Sequence, residues 1–353
     1  MFVGGYLAAV READVPRWER FILKLLADPE LRTVGVNATF RSGISSSVIQ
    51  KLLALYQARE VEARAFSRIG VLAGLNGIPQ SLVDETVAAL TERNVDEAIE
   101  VCVELVDQYY CRNELPLPNP QIRNLIRAAL ALKRSRNAMR DFYLHRIVKR
   151  YRVQHPGEDL ELLSALLSNF DSLSRLRGPY DLSLIADDIV RSKSAEAWAI
   201  IESAIESQPD DAFDIVMWLG DSGAAHRDAP GAMRLLNPND IIRWTQANPD
   251  ERVRLIYHGL PKTLDEAHGG RVTQLFIEEF GDRDQVSGGL VMHFAYHGAW
   301  AGPRSAYLRR KRNEARGWLS SIRSGKVEQW ATRYIGLLTE DIGRAEIEEE
   351  RGS

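Results

Sequence analysis

One helix-start signal recurs along this chain and narrows what it can fold into. Asn or Asp precedes Pro, and a helical apolar pattern follows with an Arg in its first turns. The instances are Asp28-Pro29-Glu30-Leu31-Arg32, Asn119-Pro120-Gln121-Ile122-Arg123 and Asn248-Pro249-Asp250-Glu251-Arg252. Asn237-Pro238 and His155-Pro156 open similar segments. An Asn or Asp side chain accepts the orphan N–H groups of a helix start, and Pro at the first helical position has no N–H to lose. A unit repeated in this way marks stacked helices, each burying its apolar face against the next. Stacked arrays usually serve as binding surfaces.

Hydrophobic spacing agrees with the repeat. Trp18, Phe21, Ile22, Leu25 and Leu26 share one side of 16–27, and Val48, Leu52, Leu55 and Tyr56 share one side of 45–58. The same period predicts helices over 61–75, 79–92, 95–112, 121–133 and 136–153. It continues over 160–167, 181–190, 195–207, 210–219, 238–247, 251–259, 271–280, 285–297, 305–320 and 327–350. Asn76-Gly77 reads as a left-handed stop, and Asn94 with Glu97 reads as a capping box. Only 31–40 alternates weakly, through Val34, Val36, Ala38 and Phe40, and predicts a short extended stretch. The expected fold class is all-α, an α-solenoid of stacked antiparallel helix pairs.

A chain of 353 residues exceeds one ordinary core. Pro116, Pro118 and Pro120 form a rigid break, 220–231 reads as a long loop, and His155-Pro156-Gly157 interrupts the helices between them. The expected division is 1–115, 116–220 with the basic face, and 221–353 ending in an acidic tail. That tail, with Glu346, Glu348, Glu349 and Glu350, is expected to be solvated. Cys102 and Cys111 lie on opposite faces of one predicted helix and cannot pair within it. Unpaired thiols and the lack of a basic, signal-like start point to a cytoplasmic protein. No apolar run approaches the roughly 20 residues that span a bilayer, so no membrane partner is expected. The apolar opening, Met1 to Val10, resembles the inside of a helical protein and leads us to expect a fragment of a longer chain.

The net charge of −4 hides strong segregation. Between Arg123 and Arg152 the cations Arg123, Arg127, Lys133, Arg134, Arg136, Arg140, Arg146, Lys149, Arg150 and Arg152 accumulate, and Asp141 is the one carboxylate. Phe142, Tyr143, His145 and Tyr151 are interleaved. Such a face suits phosphate or an acidic protein surface. Arg123, Arg127, Arg134, Arg136, Arg140, Lys149 and Arg150 are therefore the candidate binding residues. The competing expectation is internal pairing with Asp96, Glu97, Glu100, Glu104 and Asp107 across stacked helices. A second cluster, Arg309 to Arg312 with Arg316, winds around one short helix and reads as ordinary surface.

Catalytic signals are missing. His293 and His297 share a helix face, but the Glu of a His-Glu-x-x-His metal site is replaced by Phe294, so no metal is expected. There is no phosphate loop and no Gly-x-Ser-x-Gly elbow, and Ser287-Gly288-Gly289 follows no strand. The carboxylate pairs Asp187-Asp188 and Asp210-Asp211 sit at helix surfaces or starts. The seven tryptophans are spread along the chain as core fillers. No catalysis and no cofactor are expected of this chain.

The Asn/Asp-Pro-x-x-Arg starts resemble those of HEAT-like repeats. The run His297-Gly298-Ala299-Trp300-Ala301-Gly302-Pro303-Arg304-Ser305, then Tyr307, the basic helix, Val327-Glu328-Gln329-Trp330-Ala331 and the tail Ile342 to Arg351, covers roughly the last 100 residues. It resembles the C-terminal end of helical-repeat regions in large bacterial multidomain NTPases of antiphage defence. Ser324-Gly325-Lys326 departs from the pattern, where Asn-Pro would be usual. The resemblance implies a sensor or scaffold that binds a protein partner or a phage-derived ligand, with catalysis in a domain outside this chain. The alternative is a nucleic-acid-binding helical repeat centred on Arg123 to Arg152.

Overall fold

Capping chemistry starts several of these helices, though not by one shared device. Asp14 Oδ1 accepts the Arg17 N–H at 2.9 Å, with Pro16 in the first turn behind it. Ser45 Oγ accepts the Val48 N–H, and Asn237 Oδ1 accepts the Asn239 N–H beside Pro238. The other Asn/Asp-Pro sites work differently. Asp28 closes one helix and turns its carboxylate onto the Glu30 N–H, while the next helix starts only at Arg32. Asn248 turns its side-chain amide onto Glu251, and Asn119 accepts the Tyr151 hydroxyl. The motif marks breaks between helices, and the Asn or Asp side chain then takes whichever donor or acceptor is near.

The computed structural model describes residues 2–67, 69, 75, 77–93, 95–132, 138–168, 180–220, 231–296 and 302–352. Among the described residues the fold is all-α, with no strand. Contacts divide it into two compact units, Met1–Glu158 and Asp159–Ser353, parting just after the Pro156-Gly157 break. The first unit holds α1 (Phe2–Ala13), α2 (Val15–Ala27), α3 (Arg32–Ser42), α4 (Ser46–Gln57), α5 (Gln80–Glu92), α6 (Asp96–Val106), α7 (Gln121–Leu130) and α8 (Ala138–Gln154). The second holds α9 (Asp159–Ser168), α10 (Tyr180–Ser192), α11 (Ser194–Ser207), α12 (Ala212–Leu219), α13 (Pro238–Ala247) and α14 (Pro249–Ile256). It continues with α15 (Arg271–Phe280), α16 (Asp284–Tyr296), α17 (Arg304–Trp318) and α18 (Gly325–Gly352). Within each unit the main packings join helices no more than three places apart in the chain.

One expectation is corrected. Residues 32–40 are helical, within α3, and not extended. Gly35, Ala38, Thr39 and Ser42 repeat at helical spacing and form a small-residue face against α1 and α2, so a Cβ on Gly35 would sit 3.1 Å from Leu25 and Leu26 atoms. Of the helix expected over 61–75, the described part includes a short 3₁₀ turn, Ala63–Phe66, and residues 68 and 70–74 lie outside the described residues. The acidic tail forms the last turns of α18, as the helical period over 327–350 predicts, and Ser305 donates its N–H and its hydroxyl to Glu349 at 2.9 and 2.7 Å. Glu346 pairs with Arg309 and Glu348 with Arg304. These bonds hold the Glu349 carboxyl below the usual carboxylate range. The second basic cluster is thus partly matched by the tail that follows it.

Six of the tryptophans are buried, and Trp300 lies outside the described residues. Phe294, 1% exposed, stands edge-on to Trp318, Trp330 and Tyr334 at ring separations of 5.7, 5.2 and 5.8 Å. The loop expected around 220–231 begins and ends at one point: a Cβ on Gly220 would meet Gly259 Cα at 2.5 Å, and one on Gly231 would meet the Gly220 carbonyl carbon at 2.8 Å. Backbones packed this closely leave no room for a methyl group. Gly220→Ala is expected to cost about 1–3 kcal/mol in urea unfolding. An unchanged midpoint would mean that these backbones separate freely.

Candidate functional site

The basic stretch belongs to α7 and α8. Helix α7 buries Ile122, Leu125, Ile126, Ala129 and Leu130, which turns Arg127 outward. Helix α8 buries Leu144, Ile147, Val148 and Tyr151. Its other positions, Arg146, Lys149, Arg150 and Val153, follow at the spacing of a neighbouring face.

The candidate residues separate into different roles. Arg123 points its Nε at Glu158 Oε2, 3.3 Å away, and the Tyr151 hydroxyl donates to the same oxygen. Burial and the Glu158 charge together raise the Tyr151 hydroxyl. Arg140 is buried, 5% exposed, with its Nε 2.9 Å from Asp141 Oδ1, so its charge is spent inside the fold. Arg150 donates Nε–H to the Leu115 carbonyl at 3.1 Å. Arg127 and Lys149 are exposed. Arg134 and Arg136 lie outside the described residues. Asp107, Asp141 and Glu158 meet this stretch, and Glu97 is exposed on α6.

Asp107, among the acidic residues expected to pair with this stretch, does meet it, through Arg146. It opens a π-helical turn, Asp107–Cys111, in which the Arg112 N–H reaches back to the Asp107 carbonyl at 3.1 Å. Such wide turns displace side chains from the regular helical register. Tyr109 and Tyr110 anchor this one, through the Ile78 carbonyl and the Asp84 carboxylate. The Asp107 side chain is 0% exposed and 3.3 Å from Arg146 Nε. Burial pushes its carboxyl up to about 6, while Arg146 and Arg112 pull it back down. Its neighbour Gln108 is 3% exposed, and neither its amide oxygen nor its nitrogen has a hydrogen-bonding partner. In the sequence, two polar residues, Asp107 and Gln108, follow the apolar run of α6 before the Tyr pair.

Between this turn and α8 runs a cleft of ≈ 470 Å³ lined by Cys111, Arg146, Lys149, Arg150, Val153 and Gln154. Val153 is 80% exposed there. Gln154 Oε1 accepts the Leu117 N–H, which ties α8 to the Pro-rich break. Burial pushes the Cys111 thiol up to about 11 and that of fully buried Cys102 up to about 12. Neither is an activated nucleophile. Cations beside an exposed apolar side chain can hold an anionic segment, but they supply no acid–base pair.

His293 is buried, its Nε2 2.9 Å from the Leu260 carbonyl, and His297 lies outside the described residues. No group of three or more His, Cys, Asp or Glu able to hold a metal occurs among the described residues. Also among them, no helix is long and apolar enough to cross a membrane. No protein-family model matches the chain, and neither does any curated protein or solved structure.

Proposed function

We propose that this chain is a non-catalytic binding module, and that an acidic segment of a protein partner docks along the cleft between the Asp107–Cys111 turn and α8. The observation that carries this reading is the cleft lining itself: Arg146, Lys149 and Arg150 share one side with exposed Val153. A cation row beside an apolar contact fits a carboxylate-rich peptide. Duplex or single-stranded nucleic acid would call for a longer run of cations, whereas here Arg123, Arg140 and Arg146 each meet a carboxylate.

The helices extend this reading to a HEAT-like array. Packing between near neighbours in the chain, within each unit, is the pattern expected of stacked repeats. With the resemblance of the last 100 or so residues to solenoids of bacterial defence NTPases, it supports a sensor or scaffold role within a larger protein.

A fluorescent poly-glutamate peptide and an oligothymidylate of equal charge test the reading by anisotropy. We expect the peptide to bind, to weaken with salt, and to be lost in the Lys149→Glu/Val153→Glu double variant with the fold intact, since both positions line the cleft and are exposed. Tighter oligothymidylate binding, with a salt slope of about 0.7 per phosphate contact, would replace this reading with the nucleic-acid one. Peptide binding that survives the double variant would contradict both.

A further inference from the structure

Helix α8 carries a second pattern on the side that faces away from the fold. Its buried residues, Leu144, Ile147, Val148 and Tyr151, take one side. Met139, Phe142, Arg146, Lys149 and Val153 alternate at spacings of three and four residues along another. At roughly 3.6 residues per turn these five share an arc of about 80°, opposite the buried set, and climb about 21 Å. The outward face of a surface helix is ordinarily polar. Here Met139 is 50% exposed, Phe142 41% and Val153 80%.

The middle of the stripe is basic, and none of the five residues is acidic. Arg146 turns its Nε and Nη1 toward Asp107, and its guanidinium carbon lies 5.7 Å from the Phe142 ring centre. That fixes the side chain beside the apolar end of the stripe. Lys149 is exposed, and the neighbouring Arg150 gives its Nε–H to a neutral carbonyl, that of Leu115. The stems of Arg146 and Lys149 carry apolar surface across to Val153. Rises of about 4.5 and 6 Å alternate along the stripe, as they do along the heptad positions of a second helix. An extended chain repeats its side chains every ~6.7 Å on one face and is out of step by about 4 Å after three contacts.

We propose that this stripe seats an amphipathic helix of a protein partner, with apolar side chains over Met139, Phe142 and Val153 and carboxylates over Arg146 and Lys149. The inference rests on the acidic-partner reading of the adjoining cleft and adds the partner's conformation and residue order. Charge complementarity selects this occupant. A second copy of α8, paired antiparallel about its centre, would bring cations together at Arg146 and Lys149.

The test compares fluorescent peptides of about 18 residues, long enough for the stripe but short enough to be largely unfolded when free. One carries Leu, Leu, Glu, Glu and Leu at alternating three- and four-residue spacing. Its isomer has the same composition with those five residues shuffled out of step, and poly-glutamate is the third probe. We expect the patterned peptide to bind about tenfold more tightly than its isomer, and its ¹³Cα resonances to move to helical values on binding. Met139→Ser/Phe142→Ser should erase that advantage and leave poly-glutamate affinity and the melting temperature unchanged. Equal affinity for the two isomers, or a bound peptide without helical shifts, overturns the helical partner and leaves poly-glutamate docking standing. If poly-glutamate also fails to bind, the cleft reading falls with it. Dimerisation of the full chain that Met139→Ser/Phe142→Ser abolishes, or tighter binding to phosphatidylserine vesicles than to the patterned peptide, would give the stripe another occupant and overturn the proposal.

Discussion

Phe294→Ala is expected to destabilise the second unit by about 3–5 kcal/mol, among the largest effects of any single truncation in this chain. Phe294 comes from α16 and is wrapped by two residues of α18, Trp330 and Tyr334, and one of α17, Trp318. Trp318 and Tyr334 lie parallel at 8°, with centroids 6.2 Å apart, and Phe294 presents its edge to both. Removing the ring opens a cavity that three rigid aromatic side chains cannot collapse to fill. The apparent melting temperature of this unit should fall by roughly 10 °C. Near-UV circular dichroism should lose intensity even below the transition, because the tryptophans lose their fixed neighbour. A variant within 1 kcal/mol of the parent, roughly the cost of a tolerated volume-conserving swap, would mean that the ring is not the packing centre.

The second large effect concerns Asp107 and pH. In the folded chain burial holds its proton up to about pH 6, whereas the ordinary carboxylate value is 3.8. Between those values the folded state binds more protons than the unfolded state, so stability falls as pH rises. The contribution is fully present below the unfolded value, is lost through the folded value, and stays flat above it. The difference spans roughly two pH units, on the order of 3 kcal/mol. Asp107→Asn has no proton to lose. Its stability relative to the parent is expected to rise by about that amount between about pH 4 and pH 7, on top of a pH-independent offset from the Asp-to-Asn exchange itself. Paired urea titrations across this range check it. A pH-independent difference would mean that Asp107 is hydrated and normal in the folded chain.

Much of the helical plan could be read from the residues. The Pro238–Ala247 and Arg271–Phe280 helices have the bounds that the apolar period and caps dictate. Local propensity and burial point the same way there, so no tertiary information was needed. Residues 31–40 misled because small residues carry no hydropathy contrast: the buried face of α3 is Gly35, Ala38, Thr39 and Ser42. Only a neighbouring helix distinguishes that face from a weak alternation.

The candidate site was legible as a concentration of charge but not as a geometry. Helical spacing cannot tell that Arg140 turns inward to Asp141 while Lys149 turns outward. Nor can it tell that Glu158, beyond the end of α8, returns to Arg123. Ion-pair partners separated by dozens of residues are set by tertiary packing, which a single sequence does not encode in any local pattern. The same holds for the tail, whose glutamates are an acidic run in sequence and become partners of Arg304, Arg309 and Ser305 only once α17 and α18 pack.

Cys111 offers the most direct measurement of whether the cleft is the docking surface. It lines the cleft and is partly exposed, whereas Cys102 is fully buried, so slow alkylation at alkaline pH reports on one position. The rate should be followed with and without saturating poly-glutamate peptide. Bound peptide is expected to slow Cys111 modification several-fold, and the protection should disappear in the Lys149→Glu/Val153→Glu variant while the melting temperature holds. A Cys111 rate unchanged by peptide that is demonstrably bound would contradict docking in the cleft, and would move the docking surface away from α8.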